Sequence, residues 1–358
     1  MEEKLIFCTL FDKNYLSRGL VLYDSLLRNN SNFHLYVFAF DDICYNFLKD
    51  LGFVNMTPIS LSEFEDQALI QVKPNRSVAE YCWTCTASTI WYVLNRFSVT
   101  HCTYLDADMC FFSDPRILYT EMGDKSVLIT EHRYTNPGEL EKLAGIYNVQ
   151  FVCFKNNEAG RNACLWWREQ CINWCYNKFE DGKFGDQKYL DDWPIRFPSV
   201  HVLQNEGGGL ATWNIQQYQI LKKSNGQVWV INRRTKKNFK VVFYHFHALK
   251  FFKENIISLS PDELSKDAKQ LVYFPYIRLL LEKATFIQSI NNQFNPNAVF
   301  SESPQKPLSM RDKWYLLRSE TIQELMAFNF SLAKEKWINL NNKFRKHNYL
   351  YLNQFEND

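Results

Sequence analysis

The first forty residues alternate between short apolar runs and one longer amphipathic segment. Residues 5–10 form an apolar run typical of a buried strand, and residues 15–29 repeat apolar side chains at helical spacing before a polar stop. A second apolar run covers residues 34–40. Two strands joined by a helix predict a βαβ unit with a right-handed crossover, and therefore a parallel sheet.

The same reasoning extends along the chain and predicts further elements. These are a helix, short strand and helix within 43–75, a long helix at 78–97, strands at 103–105, 126–130 and 145–154, a Trp- and Cys-rich helix at 158–179, a hairpin of 228–232 with 239–243, and helices over 255–358. The order predicts an α/β fold, with a mostly parallel, Rossmann-like central sheet flanked by helices. We divide the chain into a catalytic domain at 1–254 and a helical C-terminal region at 255–358.

Composition places few limits on function. Of 358 residues, 46% are apolar and 22% charged, and 41 basic against 39 acidic side chains give a formal net charge of +2. That balance gives no reason to expect nucleic acid as a partner. Aromatic residues reach 16%, which suits sugar or base stacking but more often fills a core.

The cysteines and the N-terminus indicate a reducing compartment. Ten cysteines are scattered along the chain, and the start carries neither a basic region nor a long apolar segment. No window reaches the roughly 18 apolar residues of a spanning helix. We therefore predict a cytoplasmic protein in which most thiols are buried small hydrophobes. The unequal spacings of Cys82 with Cys85 and of Cys171 with Cys175 argue against zinc.

Two acids directly follow the strand predicted at 103–105. Asp106 and Asp108 are separated by one residue, so a strand would direct both side chains to one face and a turn would fan them around one point. Either arrangement suits a hard divalent cation with oxygen ligands, whereas the plain alternative is a solvated strand end. Because ligands in open α/β sheets bind beyond the carboxyl ends of strands, Asp12, Asp41 and Asp42 are expected along the same rim.

Later polar residues complete a candidate metal and diphosphate site. Asp186 and Gln187 follow a glycine in a polar loop, and His245 and His247 precede Lys250. Two carboxylates and an imidazole form a ligand set suited to Mn²⁺, with Mg²⁺ as the alternative, and Lys250 would neutralise phosphate charge. His245 and His247 are two positions apart, so both side chains lie on one face if the strand continues. If the strand ends there, only one of them would face the metal. Residues 205–214 form a three-glycine turn without the Lys-Ser/Thr of a phosphate-binding P-loop.

At these residues the chain resembles the GT-A nucleotide-sugar glycosyltransferases, in particular their retaining galactosyltransferase and glycogenin-like branch, over about residues 4–252. The matching positions are Thr9, Asp12, Asn14 and Tyr15 in the first strand and turn, Tyr104 to Asp108, Asn148, Asp186 with Gln187, and His245 to Lys250. The chain departs from the family pattern at Gln150, which replaces a glycine, and at Lys250, which comes one residue early and lacks the following Pro-Trp.

The resemblance implies a chemistry and a set of roles. It implies transfer from a nucleotide-diphosphate sugar, a UDP-sugar, to a glycan or lipid-linked saccharide acceptor, with the metal held by Asp106, Asp108 and His245 or His247. Thr9, Asp12 and Tyr15 would hold the nucleotide, and Asn148 would face the sugar. Retention is implied, with Asp186 on the sugar hydroxyls and Gln187 near the β face. An inverting enzyme would instead need a general base, for which the candidates are Asp186, Asp191 and Glu206.

The run of residues 185–190 together with 210–214 also resembles bacterial glycosyltransferase-like proteins associated with surface polysaccharides. Two rival functions are a catalytically inactive sugar- or nucleotide-binding scaffold of the same fold and a sugar nucleotidyltransferase. The latter usually carries a glycine-rich basic loop after its first strand, and residues 10–15 contain no glycine. For Trp83, Trp193 and Trp213 the choice between stacking on a ligand and core packing stays open.

The C-terminal region combines basic and aromatic residues. Trp314, Trp337 and Phe344 lie among several lysines and Arg345. Such helices cap a fold, form an oligomer contact or lie on an anionic membrane, where a lipid-linked acceptor resides at its inner face. Packing is the simplest of these interpretations. The segment of about 294–307 is the one linker-like stretch.

Overall fold

The computed structural model describes residues 3–224, 227–301 and 349–352. They form two compact units. The larger contains the described residues up to His247 together with Lys266–Asn297, and the smaller contains Ala248–Ser265 and the described residues from Ala298 onward. All predicted site residues except Lys250 belong to the larger unit.

The strands of the larger unit are β1 (Leu5–Phe11), β2 (Phe33–Ala39), β3 (Met56–Ser60), β4 (His101–Leu105), β5 (Met109–Phe111), β6 (Val127–Glu131), β7 (Tyr147–Lys155), β8 (Val200–Val202), β9 (Gly208–Ala211), β10 (Tyr218–Ser224), β11 (Gln227–Asn232), β12 (Asn238–Lys240) and β13 (Phe243–His245). Its helices are α1 (Leu16–Asn29), α2 (Asp42–Leu51), α3 (Leu61–Phe64), α4 (Gln67–Val72), α5 (Val78–Arg96), α6 (Arg116–Met122), α7 (Gly138–Ala144), α8 (Glu158–Asn173), α9 (Trp193–Arg196), α10 (Lys266–Ala268) and α11 (Phe274–Ile290). The smaller unit contains β14 (Lys250–Phe252), β15 (Ile256–Ser258) and β16 (Tyr349–Tyr351).

The βαβ beginning is confirmed. β1 pairs in parallel with β2, with Leu5 opposite Phe33, and α1 makes the connection. Helix α2 follows because the Asp41 carboxylate accepts the backbone N–H of Cys44 at 2.8 Å, which is a standard N-cap. It ends at Gly52, whose φ of 59° suits a residue without a side chain.

The central sheet has seven strands in the order β3-β2-β1-β4-β7-β6-β8. The first four run parallel to one another, β7 is antiparallel to both β4 and β6, and β6 is parallel to β8. The predicted α/β fold with a mostly parallel sheet is therefore confirmed. The reversal at β7 brings the start of that strand to the same sheet edge as the ends of β4 and β6.

Two hydrophobic clusters cover the two faces of this sheet. Successive side chains of a strand point to opposite faces, and accordingly Phe7 joins one cluster and Cys8 the other. The Cys8 cluster contains side chains of α5 and α8, with Trp167 and Trp193 fully buried. Trp193 is thus a core residue.

A second, three-stranded sheet of the larger unit carries part of the candidate site. Its order is β5-β13-β9, with β13 antiparallel to β5 and parallel to β9. The predicted glycine turn is wrong at Gly208 and Gly209, which are the first two residues of the buried strand β9. A Cβ on Gly208 would lie 2.7 Å from Leu203 and 2.8 Å from Leu118, so close packing rather than a turn requires glycine there.

Several predicted boundaries differ from the structure. Helix α8 ends at Asn173 instead of continuing to residue 179, because Trp174 is extended (φ −153°, ψ 121°). The predicted hairpin is confirmed as β11 and β12, but Phe243 belongs to β13.

The predicted helical region past residue 254 contains strand structure in the smaller unit. Glu254 and Asn255 adopt left-handed conformations, with φ of 62° and 59°, and these reverse the chain between β14 and β15. Helix α11 agrees with the prediction. The basic and aromatic residues 314–346 lie outside the described residues, and the division at residue 254 stays a prediction. None of the helices in the described part of the chain has the length and apolar character needed to cross a membrane.

Candidate functional site

Polar side chains meet at one edge of the central sheet. Asp106 follows the end of β4, His132 follows the end of β6, and Asn148 and Gln150 lie near the start of β7. Because β7 is antiparallel to both neighbours, Leu105 pairs with Phe151 and Glu131 pairs with Tyr147. This register places residues from three strands side by side.

The Asp-x-Asp segment is a tight turn between β4 and β5. The backbone N–H of Met109 donates to the carbonyl of Asp106 at 3.3 Å, and the N–H of Asp106 donates to the carbonyl of Gln150 at 3.2 Å. The Tyr104 hydroxyl donates to Asp106 Oδ1 at 3.2 Å. Of the two geometries considered for Asp106 and Asp108, the structure has the turn.

Strand β13 brings His245 to these carboxylates. His245 pairs with Met109, and the N–H of Phe246 donates to the carbonyl of Asp108 at 3.0 Å. The Nε2 atom of His245 lies 3.0 Å from Asp108 Oδ1 and 3.7 Å from Asp106 Oδ2. His245 is 4% exposed. We call Asp106, Asp108 and His245 the charged half of the site.

His247 occupies a different position from His245. Strand β13 ends at His245, and His247 is exposed, with its ring centroid 5.6 Å from that of His245. Both histidines are predicted metal ligands, and the structure brings His245 into contact with the acids.

Burial and the attraction between opposite charges together shift the pKa values of Asp106, Asp108 and His245. Burial opposes ionisation of Asp108, but the imidazole of His245 outweighs it and lowers the pKa of Asp108 below its usual range. Burial lowers the pKa of His245, whereas Asp108 and Asp106 raise it, and the net direction is upward. Burial raises the pKa of Asp106 to about 6, against the attraction of His245. The structure therefore pairs an Asp108 carboxylate with the imidazolium of the buried His245.

Asn148, Asp186 and Gln187 form what we call the amide half of the site. Asn148 Nδ2 lies 2.9 Å from His132 Nε2 and donates to Gln187 Oε1 at 3.4 Å. Burial lowers the pKa of His132 to about 3, so this imidazole is neutral and its Nε2 accepts. Gln187 Nε2 donates to the carbonyl of Ala144 at 2.8 Å, which directs Oε1 towards Asn148.

Asp186 is the acid of the amide half. It is 3% exposed, and its Oδ2 has no hydrogen-bond partner among the described residues. Burial raises its pKa to about 7, and the nearby carboxylate of Asp106 adds to the rise. Asp186 is therefore partly protonated near neutral pH, so it can either donate to or accept from a hydroxyl group.

The end of β1 and the turn after it contain the predicted nucleotide-binding residues. Thr9 is fully buried, and within the described chain its Oγ1 has no partner. Asp12 accepts from the backbone and the side-chain amide of Asn14 at 3.0 and 2.9 Å. Burial and the carboxylates of Asp108, Asp12 and Asp106 raise the pKa of Tyr15. The nucleotide roles stay predictions.

Two further predicted residues have distinct surroundings. Lys250 is exposed on β14 of the smaller unit, with its ammonium 5.6 Å from the ring centroid of Phe300, and its phosphate role stays a prediction. Trp213 presents its ring edge-on to His245, with centroids 5.4 Å apart, and its indole N–H donates to the carbonyl of His132 at 2.8 Å. Trp83 is half-buried and faces Gly185.

The sequence pattern does not single out three further residues of the site. Gln150 stands where the resembling family has glycine, and its Oε1 lies 2.9 Å from His245 Nδ1. His132 follows β6 directly, which is the signal that could have identified it. Arg18 is 2% exposed, lies over the Tyr15 ring at 4.5 Å, and helps to lower the pKa of Asp108.

In this structure the residues of the charged half contact one another directly. Within residues 3–224, 227–301 and 349–352, no group of three or more His, Cys, Asp or Glu side chains is arranged as a ready metal site. Instead His245 bonds directly to Asp108.

No protein-family model matches the chain. Two proteins of Bacillus subtilis (strain 168) are similar in sequence. The uncharacterized protein YfnD is 29% identical over 290 residues, which cover 79% of this chain and 91% of that protein. The uncharacterized protein YfnF is 27% identical over 297 residues, which cover 81% of this chain and 96% of that protein.

Solved structures also align with the chain. One is the galactosyltransferase LgtC in complex with donor and acceptor sugar analogs, with a TM-score of 0.48 and 12% identity over 78% of this chain and 96% of that chain. Another is the glycosyltransferase GlyE of Streptococcus pneumoniae TIGR4, with a TM-score of 0.46 and 14% identity over 86% of this chain and 67% of that chain. A third is mouse xyloside xylosyltransferase 1, with a TM-score of 0.43 and 13% identity over 68% of this chain and 98% of that chain. By name, all three are glycosyltransferases.

Proposed function

We propose that this protein is a metal-dependent GT-A glycosyltransferase. It would transfer a sugar from a UDP-sugar to a glycan or lipid-linked saccharide acceptor, with retention of configuration. The observation that carries the proposal is the convergence of Asp106, Asp108 and His245 beside the hydrogen-bonding residues of the amide half, at the edge where α/β sheets bind ligands. The motif resemblance supplies the donor class and the stereochemistry.

The donor set of the charged half fits a divalent cation. Two carboxylates and one imidazole nitrogen suit Mn²⁺, with Mg²⁺ as the alternative. His245 Nε2 lies 3.0 Å from Asp108 Oδ1 and 3.7 Å from Asp106 Oδ2, so the imidazole is next to both carboxylates. The hydrogen bond between His245 and Asp108 has to give way when a cation binds. A bound cation would supply the positive charge that stabilises a diphosphate leaving group.

The chain's own residues would orient the sugar. Asp186 offers an unpartnered, buried carboxyl oxygen to a sugar hydroxyl. Gln187 is held by its bond to Ala144, so its Oε1 keeps a fixed direction beside Asn148. Fixed, buried dipoles of this kind favour a developing charge without reorganisation during the reaction. Retention follows from the resemblance, which puts Gln187 near the β face of the sugar.

A panel of nucleotide sugars with Mn²⁺ tests the proposal, with donor hydrolysis as the readout. We expect turnover of at least one UDP-sugar in the wild type, loss on chelation of the metal, and loss of about 10²–10³-fold in Asp108→Ala. The matched control is Asp124→Ala, which removes an exposed aspartate outside the site and should keep wild-type turnover.

The same panel separates the rival functions. Binding of a nucleotide sugar without turnover, with or without saccharide acceptors, would identify an inactive scaffold. Release of pyrophosphate from a nucleoside triphosphate and a sugar phosphate would identify a nucleotidyltransferase. Turnover that survives in Asp108→Ala would contradict the proposed role of the charged half.

A further inference from the structure

We propose that Gln150 is a positioning residue that holds His245 with its Nε2 atom facing Asp106 and Asp108. The inference rests on the proposed function, because it assigns the residue that would prepare His245 as a metal ligand. Gln150 lies on β7, 95 residues before His245 in the chain.

Gln150 contacts both parts of the charged half. Its side-chain Oε1 accepts from His245 Nδ1 at 2.9 Å, and its backbone carbonyl accepts the N–H of Asp106 at 3.2 Å. The residue is 0% exposed. One buried residue therefore fixes the ring of His245 and the turn that carries the acids.

The chemistry of the imidazole explains why this contact matters. An amide oxygen can only accept, so Nδ1 of His245 carries a proton in the imidazolium paired with Asp108 and keeps it when Nε2 loses its proton to bind a metal. A ring nitrogen held in this way by a partner outside the ligand set fixes both the tautomer and the ring orientation of a metal-binding histidine.

The backbone of Gln150 is held by a neighbouring residue, whereas its side-chain Nε2 has no hydrogen-bond partner among the described residues. Its backbone N–H donates to Asn148 Oδ1 at 2.8 Å. Gly209, whose φ is +130°, lies against the side chain, and a Cβ built there would be 3.6 Å from Gln150 Nε2.

The test compares Mn²⁺ affinity in the purified full-length protein, measured by electron paramagnetic resonance of free Mn²⁺. Gln150→Leu removes the acceptor, and we expect its Kd for Mn²⁺ to rise about 10–100-fold. Gln150→Glu keeps an acceptor and should stay within about fivefold of the wild type. Thr103→Val, which also removes a buried polar group from the central sheet, should bind Mn²⁺ as the wild type does. An unchanged Kd in Gln150→Leu would overturn the inference.

A second readout needs no metal and separates this inference from the proposed function. In the metal-free protein, the Nδ1–H resonance of His245, assigned by its loss in His245→Asn, should be protected from exchange in the wild type and in Gln150→Glu. It should be lost in Gln150→Leu, and a protected signal in that variant would overturn the inference. If the wild type binds no Mn²⁺, the metal-dependent function fails, and this resonance alone decides the role of Gln150. Thermal unfolding checks each variant, with Gln150→Met as the substitute if Gln150→Leu is unfolded.

Discussion

The charged half and the amide half lie at the same sheet edge and each contains a buried ionisable side chain, His245 and Asp186, but the cost of burying it is offset differently in the two halves. In the charged half, Asp108 and His245 pair at 3.0 Å, so opposite charges stabilise each other. In the amide half, the one acid, Asp186, has a pKa raised to about 7 by burial, and its neighbours Asn148 and Gln187 are neutral. An unpaired buried charge is costly, and a carboxyl group without a cation retains its proton instead.

This difference indicates a division of work. A place that maintains charge suits a metal ion and a diphosphate, whereas neutral hydrogen-bonding groups suit the hydroxyls of a sugar. Changes in the charged half should therefore act on metal binding, and changes in the amide half should act on sugar transfer at unchanged metal affinity. Each of the following substitutions tests one side of this contrast.

The largest effect is expected from His245→Ala. Loss of the imidazole that contacts both acids should lower Mn²⁺-dependent donor turnover about 10²–10³-fold. His247→Ala removes an exposed imidazole beyond the end of β13 and should cost less than about tenfold. Initial rates of UDP-sugar hydrolysis measure both. Equal losses in the two variants would contradict the assignment of His245 to the charged half.

Asp186→Asn should change how stability depends on pH. The folded-state pKa of about 7 is above the unfolded value of about 3.9, so between these values the folded protein holds a proton that the unfolded chain releases. Wild-type stability therefore falls as pH rises from about 4 to 7. The asparagine variant lacks this loss and should gain on the wild type by a few kcal/mol, at about 1.4 kcal/mol per pKa unit.

Urea unfolding of both proteins at pH 5 and pH 8 measures this effect. The difference in unfolding free energy, variant minus wild type, should be more positive at pH 8 than at pH 5. The same difference at both pH values would show that Asp186 ionises as an ordinary exposed carboxyl group does.

Gln187→Ala tests the amide half by its effect on sugar transfer rather than on metal binding. Loss of the fixed amide oxygen should lower kcat for sugar transfer about 10–100-fold, since one buried hydrogen-bonding group contributes about 1–3 kcal/mol. The Kd for Mn²⁺ should change less than about twofold. Gln204→Ala, an exposed glutamine, is the control. A parallel loss of Mn²⁺ affinity in Gln187→Ala would remove the distinction between the halves.

The smallest effect is expected from Tyr104→Phe. This change removes the hydroxyl that donates to Asp106 Oδ1 at 3.2 Å and keeps the buried ring. One hydrogen bond contributes about 0.5–1.5 kcal/mol, so the Kd for Mn²⁺ should rise about 2–10-fold. Tyr119→Phe, whose hydroxyl bonds to Thr103 instead, should leave the Kd unchanged. If both variants behave alike, the hydroxyl of Tyr104 does not support Asp106.

Much of the larger unit could be predicted because its elements are defined by local patterns. The periodicity of residues 78–97 anticipated α5, which Ser77 and Glu80 begin with a capping box. The boundary of α8 and the strand at Gly208–Ala211 could not be predicted. At Gly208 the backbone follows close packing with the distant residues Leu118 and Leu203 instead of its own sequence preference.

The amino-acid sequence by itself determined the βαβ beginning, the two acids at the end of β4 and the set of residue types at the site, because these follow from neighbouring positions along the chain. Only the tertiary structure decided that β13 pairs with β5 and that β7 runs antiparallel. Those pairings bring His245 into contact with Asp108 and bring Gln150 into contact with His245, which is 95 residues later in the chain. The physical reason is that strand partners far apart in sequence are chosen by packing and register, which local periodicity does not encode.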